Sequence, residues 1–159
     1  MPPQMSCHKT LLADVAARIA ACTDVAERSR GRAAPAAPFT ASSSPDDRIL
    51  LASFVLHTAD LCNPLFPPPV SKQVAMDLSL EFEAQAAQEK ALGLPVSVMT
   101  APDGVAKARG ELSFIRYVVS PLYRVLVEIA PAVRPCLSLI DANVAAWDAA
   151  AGRASSSSR

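Results

Sequence analysis

Apolar residues recur at helical spacing through most of this sequence, and prolines separate the stretches that show it. In the first stretch, Leu11, Val15 and Ile19 recur every four residues, as on one face of a helix. No segment alternates apolar and polar residues as a half-buried strand does, and no segment is repeated. The sequence therefore predicts an all-α fold, a helical bundle.

Local signals place the helix ends. Ser44 followed by Pro45 and two aspartates is a typical helix start, and Gly93 is a typical stop. Pro121 is expected to kink a longer helix near residue 118, because proline removes one backbone hydrogen bond. The predicted helices cover residues 6–28, 44–60, 71–92, 103–129 and a last stretch that begins at Pro131. The third helix carries an apolar stripe of Val74, Leu78 and Phe82.

Two segments lack this spacing. Residues 29–44 are rich in alanine, proline and serine and predict a flexible insertion, and residues 151–159 predict a disordered tail. Residues 1–150, which include the insertion, are expected to form one domain.

Composition narrows the partners and the compartment. Fifteen basic residues balance fifteen acidic ones, so no net charge attracts nucleic acid or an anionic membrane. No apolar run is long enough to span a bilayer, and the N-terminus has no secretory pattern, which favours the cytoplasm. The four cysteines are scattered without the spacing of a zinc site.

The segment from His57 to Pro69 concentrates polar groups where a helix must end. Residues 57–64 read His-Thr-Ala-Asp-Leu-Cys-Asn-Pro, and the prolines that follow force an extended turn. A histidine, an aspartate and an asparagine at such a position need partners, which makes this segment the first candidate site.

Together with Glu111-Leu-Ser-Phe114 and the residues up to Leu122, this segment resembles the C-terminal half of a class I 3′,5′-cyclic nucleotide phosphodiesterase catalytic domain. Residues 5–14 and the stretch from Glu81 to Ser97 support the resemblance, in the same order along the chain. The resemblance implies an all-helical domain that holds two divalent metals, zinc and magnesium. A hydroxide between the metals attacks the cyclic phosphate of cyclic AMP or cyclic GMP, and a histidine protonates the leaving oxygen.

The resemblance assigns roles to residues of the first segment. Asp60 matches a metal ligand of the family. From the local sequence alone, it also fits a helix-terminal aspartate that hydrogen-bonds to its own backbone. Asn63 matches a pocket residue near the sugar and base, and locally it also fits a turn former before Pro64. His57 is expected to support the site through hydrogen bonds rather than as a ligand.

Three apolar residues match the walls of the nucleotide pocket. Phe114 falls on the aromatic residue that stacks on the purine, although on a helical stripe it also fits a core residue. Met5 and Leu78 fall near apolar wall positions, and ordinary packing explains both equally well.

The sequence departs from the family pattern at the residue that reads the base. The family has a glutamine where this chain has Glu111, and an ionised carboxylate only accepts hydrogen bonds. Base selection therefore stays open, with guanine expected to be read least well. On the third helix, Glu83, Ala86 and Ala87 replace an aromatic residue and a Gly-Asp pair.

The third departure concerns the metals. His8 and His57 are the only histidines, and neither matches the family's histidine ligands or its general acid. Asp60 alone cannot hold a divalent cation, since a catalytic zinc site needs about three protein ligands. We therefore expect a truncated domain that is inactive by itself and whose unpaired apolar faces favour self-association.

Two alternatives remain. The chain could serve as a non-catalytic interaction module derived from the same fold. An unrelated metal site would have to use Cys7, His8, His57 and Cys62, whose spacing fits no ordinary zinc pattern.

Overall fold

The computed structural model describes residues 3–28, Phe39 and residues 44–156, except for the side chains of residues 3–6, 23–28 and 153–156. This part of the chain contains helices and no strand, which confirms the all-α prediction. The α-helices are α1 (Pro3–Arg28), α2 (Pro45–Asp60), α3 (Pro68–Ala91), α4 (Gly104–Phe114), α5 (Ser120–Ile129) and α6 (Pro135–Ser156). Most of the predicted insertion at residues 29–44 lies outside the described residues.

The helix starts follow the capping residues. The Ser44 hydroxyl accepts a hydrogen bond from the Asp47 amide at 3.1 Å, with Pro45 in the first turn of α2. The Asp103 carboxylate caps α4 by accepting from the Ala106 amide at 2.8 Å. Gly93, with a φ of 68°, follows the end of α3 in the left-handed region that glycine tolerates best.

Three helices extend beyond their predicted ends, and the first of them, α1, begins at Pro3 rather than at residue 6. Helix α3 begins at Pro68 rather than at residue 71, because proline is tolerated in a first helical turn. Helix α6 continues through Ser156, so residues 151–156 are helical and the predicted tail is wrong there. Alanine, the best helix former, occupies residues 149–151 and explains this extension.

The predicted interruption before Pro121 takes the form of a π-helical segment, Ile115–Val119, between α4 and α5. The Ser120 amide bonds to the Ile115 carbonyl, five residues back, instead of four. The helical path continues, so proline changes the hydrogen-bond pattern without breaking the chain into a loop.

The chain divides into two compact units. The first comprises residues 1–61 and 122–134, and in it α1 packs on α2. A two-bond ion pair joins these helices, because the Arg18 guanidinium donates to both Asp47 carboxylate oxygens at 2.7 Å. The buried apolar residues of this unit are Val15, Phe54, Leu122, Tyr123 and Val127.

The second unit comprises residues 62–121 and 135–159. Helix α6 is its centre, since α3, α4, the π-helical segment and the turn before α3 all pack on it. The buried apolar residues are Ala75, Ala86, Ala108, Leu112, Ile115, Val119, Ile140 and Trp147.

The buried face of α3 is not the predicted apolar stripe. Val74 and Leu78 are each 41% exposed, whereas the small residues Ser71, Ala75 and Ala86 are buried. Small side chains let a helix approach its neighbours closely, which leaves the larger apolar residues outside. No helix in the described part of the chain is long and apolar enough to cross a membrane.

Candidate functional site

The carboxyl end of α2 is held by hydrogen bonds within the first unit. The Thr58 hydroxyl donates to the Phe54 carbonyl at 2.7 Å, and the Thr58 carbonyl accepts from the Tyr123 hydroxyl at 3.1 Å. The last carbonyls of a helix have no partner in the helix itself, so the Tyr123 bond fixes this end. Asp60 follows as the last residue of α2, with an exposed side chain.

His57 contacts the other histidine of the chain. Its Nε2 atom lies 2.9 Å from Nδ1 of His8 on α1, and the two rings meet edge to face with centroids 5.2 Å apart. His8 is 4% exposed. Burial, followed by the charges of His57 and Lys9, lowers the pKa of His8. The pair therefore favours a neutral His8, while the supporting role of His57 at a metal site stays a prediction.

The turn that follows Asp60 belongs to the second unit and contains a 3-10 helix, Asn63–Leu65. Asn143 on α6 holds this turn, because its side-chain nitrogen donates to the carbonyls of Pro64 and Phe66, each at 2.9 Å. The same nitrogen lies 3.1 Å from the Leu139 carbonyl. Asn143 is fully buried. It fixes the backbone on which Asn63 sits.

Asn63 has the property expected of a residue that binds a ligand. Its side-chain oxygen is buried and has no hydrogen-bond partner among the described residues. A buried polar atom without a partner costs free energy, so such atoms are rare without a functional reason. Among the described residues the side-chain oxygens of Ser71 and Asn143 share this condition, so Asn63 carries one of three buried polar atoms that lack a partner.

Glu111 and Phe114 lie on α4, one helical turn apart. Phe114 is half-buried at the end of the helix, next to the π-helical segment. Burial raises the pKa of the Glu111 carboxyl, with no hydrogen bond or neighbouring charge contributing. A carboxyl in this condition is poised to take a proton more readily than an exposed one.

The structure gives less information on the two remaining predicted wall residues. Leu78 lies on α3 and is 41% exposed. Met5 lies on α1, and its side chain is outside the described residues.

Two residues that shape this region were not among the predicted site residues. Asn143 stands between Ile140 and Trp147 on the buried face of α6, and a polar residue on an apolar stripe is the signal that identifies it. Lys107 lies 2.6 Å from a Glu83 carboxylate oxygen, which links α4 to α3. Only its spacing of four residues before Glu111 could have drawn attention to it.

The described residues do not fit a dinuclear metal centre. No group of three or more His, Cys, Asp or Glu side chains gathers there in a way that could hold a metal ion. Asp60 is exposed, and the facing nitrogens of His8 and His57 are engaged with each other. A single carboxylate does not compete with water for a divalent cation.

Comparisons with known proteins point to one family. The sequence profile of the family described as 3′5′-cyclic nucleotide phosphodiesterase matches residues 3–140. A Drosophila melanogaster protein, named a high affinity cGMP-specific 3′,5′-cyclic phosphodiesterase 9A, is 38% identical over 82 residues, 52% of this chain. A probable 3′,5′-cyclic-AMP phosphodiesterase of Caenorhabditis elegans is 32% identical over 84 residues, 53% of this chain.

A solved structure agrees with these relatives. The crystal structure of the phosphodiesterase domain of a RhoPDE fusion protein, from the choanoflagellate Salpingoeca rosetta, is 29% identical with a TM-score of 0.72. The similarity covers 96% of this chain and 44% of that one. The match covers 5% of the fly protein and 12% of the nematode protein, so this chain corresponds to a minor part of each relative.

Proposed function

Because the chain belongs to the 3′,5′-cyclic nucleotide phosphodiesterase family, we propose that it forms part of a catalytic domain that hydrolyses a cyclic nucleotide to its 5′-monophosphate. The match over residues 3–140 carries this proposal, since that range contains every candidate site residue. The buried, unpartnered side-chain oxygen of Asn63 supports it independently.

The residues of each unit have their own proposed roles. In the first, Asp60 provides one carboxylate to a metal, and His57 supports the end of α2 through its contact with His8. In the second, Asn63 accepts a hydrogen bond from the nucleotide, and Phe114 stacks on its base. Leu78 of the same unit provides an apolar wall contact.

The metals of the family, proposed to be zinc and magnesium, need donors beyond the described residues. Family membership implies metal dependence in general, but the described residues offer Asp60 without two further ligands. The residue that protonates the leaving oxygen must likewise come from elsewhere. We therefore propose that these 159 residues by themselves do not catalyse hydrolysis.

Glu111 is proposed to bias base selection. When protonated, its carboxyl both donates and accepts, so it can pair with a ring nitrogen and the exocyclic amine of adenine. When ionised, it only accepts. Burial already raises its pKa, which makes the neutral form more accessible than for an exposed glutamate. We propose cyclic AMP as the preferred ligand, bound more tightly as pH falls.

Calorimetric titration with cyclic AMP tests the pocket. Phe114→Ala is expected to weaken binding by about 5- to 150-fold, since base stacking contributes about 1 to 3 kcal/mol. Tyr117→Ala is the matched control, because this aromatic residue is three positions later and 76% exposed. Equal binding by the wild-type chain and both variants would contradict a stacking role.

A hydrolysis assay tests the metal proposal. With zinc and magnesium added, the wild-type chain should give no more 5′-monophosphate than a protein-free control. Turnover that disappears in Asp60→Ala would show that the chain holds a working centre, contrary to the proposal.

The second candidate function is a non-catalytic interaction module. Large exposed apolar residues favour it, among them Ile49 at 65%, Leu56 at 67% and Leu80 at 59%. Analytical ultracentrifugation should then detect self-association that Leu56→Gln or Leu80→Gln weakens. A monomer at all concentrations would remove the support for self-association.

A further inference from the structure

Glu83 and Lys107 form an ion pair beside the candidate base-binding residue. The Lys107 ammonium lies 2.6 Å from a Glu83 oxygen, with side chains 20% and 40% exposed. The Ser79 hydroxyl donates to the same Glu83 oxygen at 3.5 Å. The hydrogen bond to Lys107 is the largest cause that lowers the pKa of Glu83. Glu83 is therefore held as a carboxylate that faces α4.

Lys107 also has a second acid within reach along its own helix. Glu111 lies four residues later on α4, and residues at this spacing are neighbours on one helix face. A lysine ammonium that turned to Glu111 would stabilise the ionised carboxylate and occupy its oxygens. The structure shows the other choice, since Lys107 pairs across to α3 and neither a charge nor a hydrogen bond affects the pKa of Glu111.

The other charges near α4 are engaged or exposed. The π-helical segment contributes Arg116, which lies 3.7 Å from Asp148 of α6. Asp141 of α6 and Arg109 of α4 are exposed. Among the described residues, Lys107 is therefore the cation that is placed on α4 to pair with either Glu83 or Glu111.

We propose that Glu83 is a positioning residue that binds Lys107 and so keeps the Glu111 carboxyl unpaired and available to the base of a nucleotide. This inference rests on the proposed function for its ligand, but the pairing itself does not depend on it. It also gives a role to Glu83, which stands where the family pattern has an aromatic residue. The two departures from that pattern, Glu83 and Glu111, would then act together through Lys107.

Titration of the Glu111 carboxyl by carbon NMR in the full 159-residue chain tests the pairing. The Glu111 signal is assigned by its loss in Glu111→Gln. In Glu83→Gln the freed Lys107 is expected to turn to Glu111, which moves the titration midpoint of Glu111 to lower pH. Glu81→Gln, an exposed glutamate on the same helix, is the matched control and should leave the midpoint in place. An unchanged midpoint in Glu83→Gln overturns the proposal.

Two further variants guard against an indirect effect of Glu83→Gln. Adding Lys107→Met to Glu83→Gln should restore the wild-type midpoint, because the cation that moved is gone. Lys107→Met alone should leave the midpoint near that of the wild type. A large rise of the Glu111 titration midpoint in Lys107→Met would show that Lys107 already stabilises the ionised Glu111, and this result would overturn the proposal.

A cyclic AMP titration of the same variants separates the pairing from the proposed function. If the pairing controls the base site, Glu83→Gln should weaken binding most at pH between its own lowered Glu111 midpoint and that of the wild type, and the double variant should recover it. If the midpoint moves as expected but neither wild type nor variants bind cyclic AMP, the positioning role of Glu83 stands and the nucleotide proposal fails.

Discussion

The turn at residues 62–66 and helix α3 follow each other in one unit, yet they differ in how their groups are covered. In the turn, Pro64 is buried and the carbonyls of Pro64 and Phe66 both accept from the buried Asn143. On α3, Leu80 is 59% exposed, and Val74 and Leu78 are 41% exposed. The backbone of the turn thus has its hydrogen-bond donor within its own unit, whereas the apolar face of α3 is not covered there.

This difference separates what the chain can do alone from what it needs. The carbonyls of Pro64 and Phe66 have a donor on α6, so the backbone position of Asn63 is set within the unit. The larger apolar residues of α3 gain little from burial here, because burial stabilises only by the area removed from water. Mutations in the turn or at Asn143 should therefore lower the free energy of unfolding strongly, and mutations of the exposed apolar residues of α3 should lower it little.

The largest effect is expected for Asn143→Leu. This change leaves the two turn carbonyls without a donor, and each unsatisfied buried group costs about 1 to 3 kcal/mol. We expect a loss of about 3 kcal/mol in the free energy of unfolding, measured by urea denaturation. Leu80→Ala on α3 is the contrasting variant and should change stability by less than about 1 kcal/mol. Equal losses in both would contradict the comparison.

A smaller effect is expected at the end of α2. Tyr123→Phe removes the hydroxyl that donates to the Thr58 carbonyl, and a hydrogen bond of this kind contributes about 1 kcal/mol. Thermal unfolding should detect the loss in Tyr123→Phe. Tyr117→Phe, at an exposed position, should unfold like the wild type.

Acidification should destabilise the contact between α1 and α2. Burial and the neighbouring His57 lower the pKa of His8, so its contribution is fully present above about pH 6.5 and is lost as pH falls through the lowered pKa. His8→Gln keeps hydrogen-bonding ability without this titration. Stability measured between about pH 7.5 and 5 should fall more steeply in the wild type than in His8→Gln. Parallel pH curves would contradict the role of His8.

The opposite pH dependence is expected from Glu111. Its pKa is raised by burial, so its contribution is present below the pKa of an unfolded glutamate, about 4.3, and is lost as pH rises through the raised pKa. Glu111→Gln should therefore be more stable than the wild type near neutral pH. The gap should shrink toward about pH 4. A gap in thermal stability that does not change with pH would argue against an ionised, partly buried carboxyl.

Local signals predicted much of the fold. Ser44 and Pro45 identified the start of α2, Gly93 identified the end of α3, and Pro121 identified the irregular segment before α5. Each of these features depends on residues within one or two helical turns. The burial of the small residues on α3 was not predictable in this way, because the choice between small and large residues depends on the helices that pack on it.

The site was predictable only where residues are close in sequence. His57, Asp60 and Asn63 stand out within seven residues, but their support comes from far along the chain. Asn143 reaches Pro64 across 79 positions, and His8 reaches His57 across 49. Lys107 pairs with Glu83 because α3 lies close to α4, and no local sequence pattern predicts this proximity.

A titration of the isotope-labelled chain with cyclic AMP tests the central claim, that this chain keeps the base-binding part of a cyclic nucleotide phosphodiesterase domain. Two reporters can be followed together by NMR: the side-chain amide of Asn63 and the carboxyl of Glu111. The account predicts saturable shifts at both residues, reduced in Phe114→Ala and retained in Tyr117→Ala. Absence of any shift at Asn63 and Glu111, at cyclic AMP concentrations up to its solubility, would contradict it.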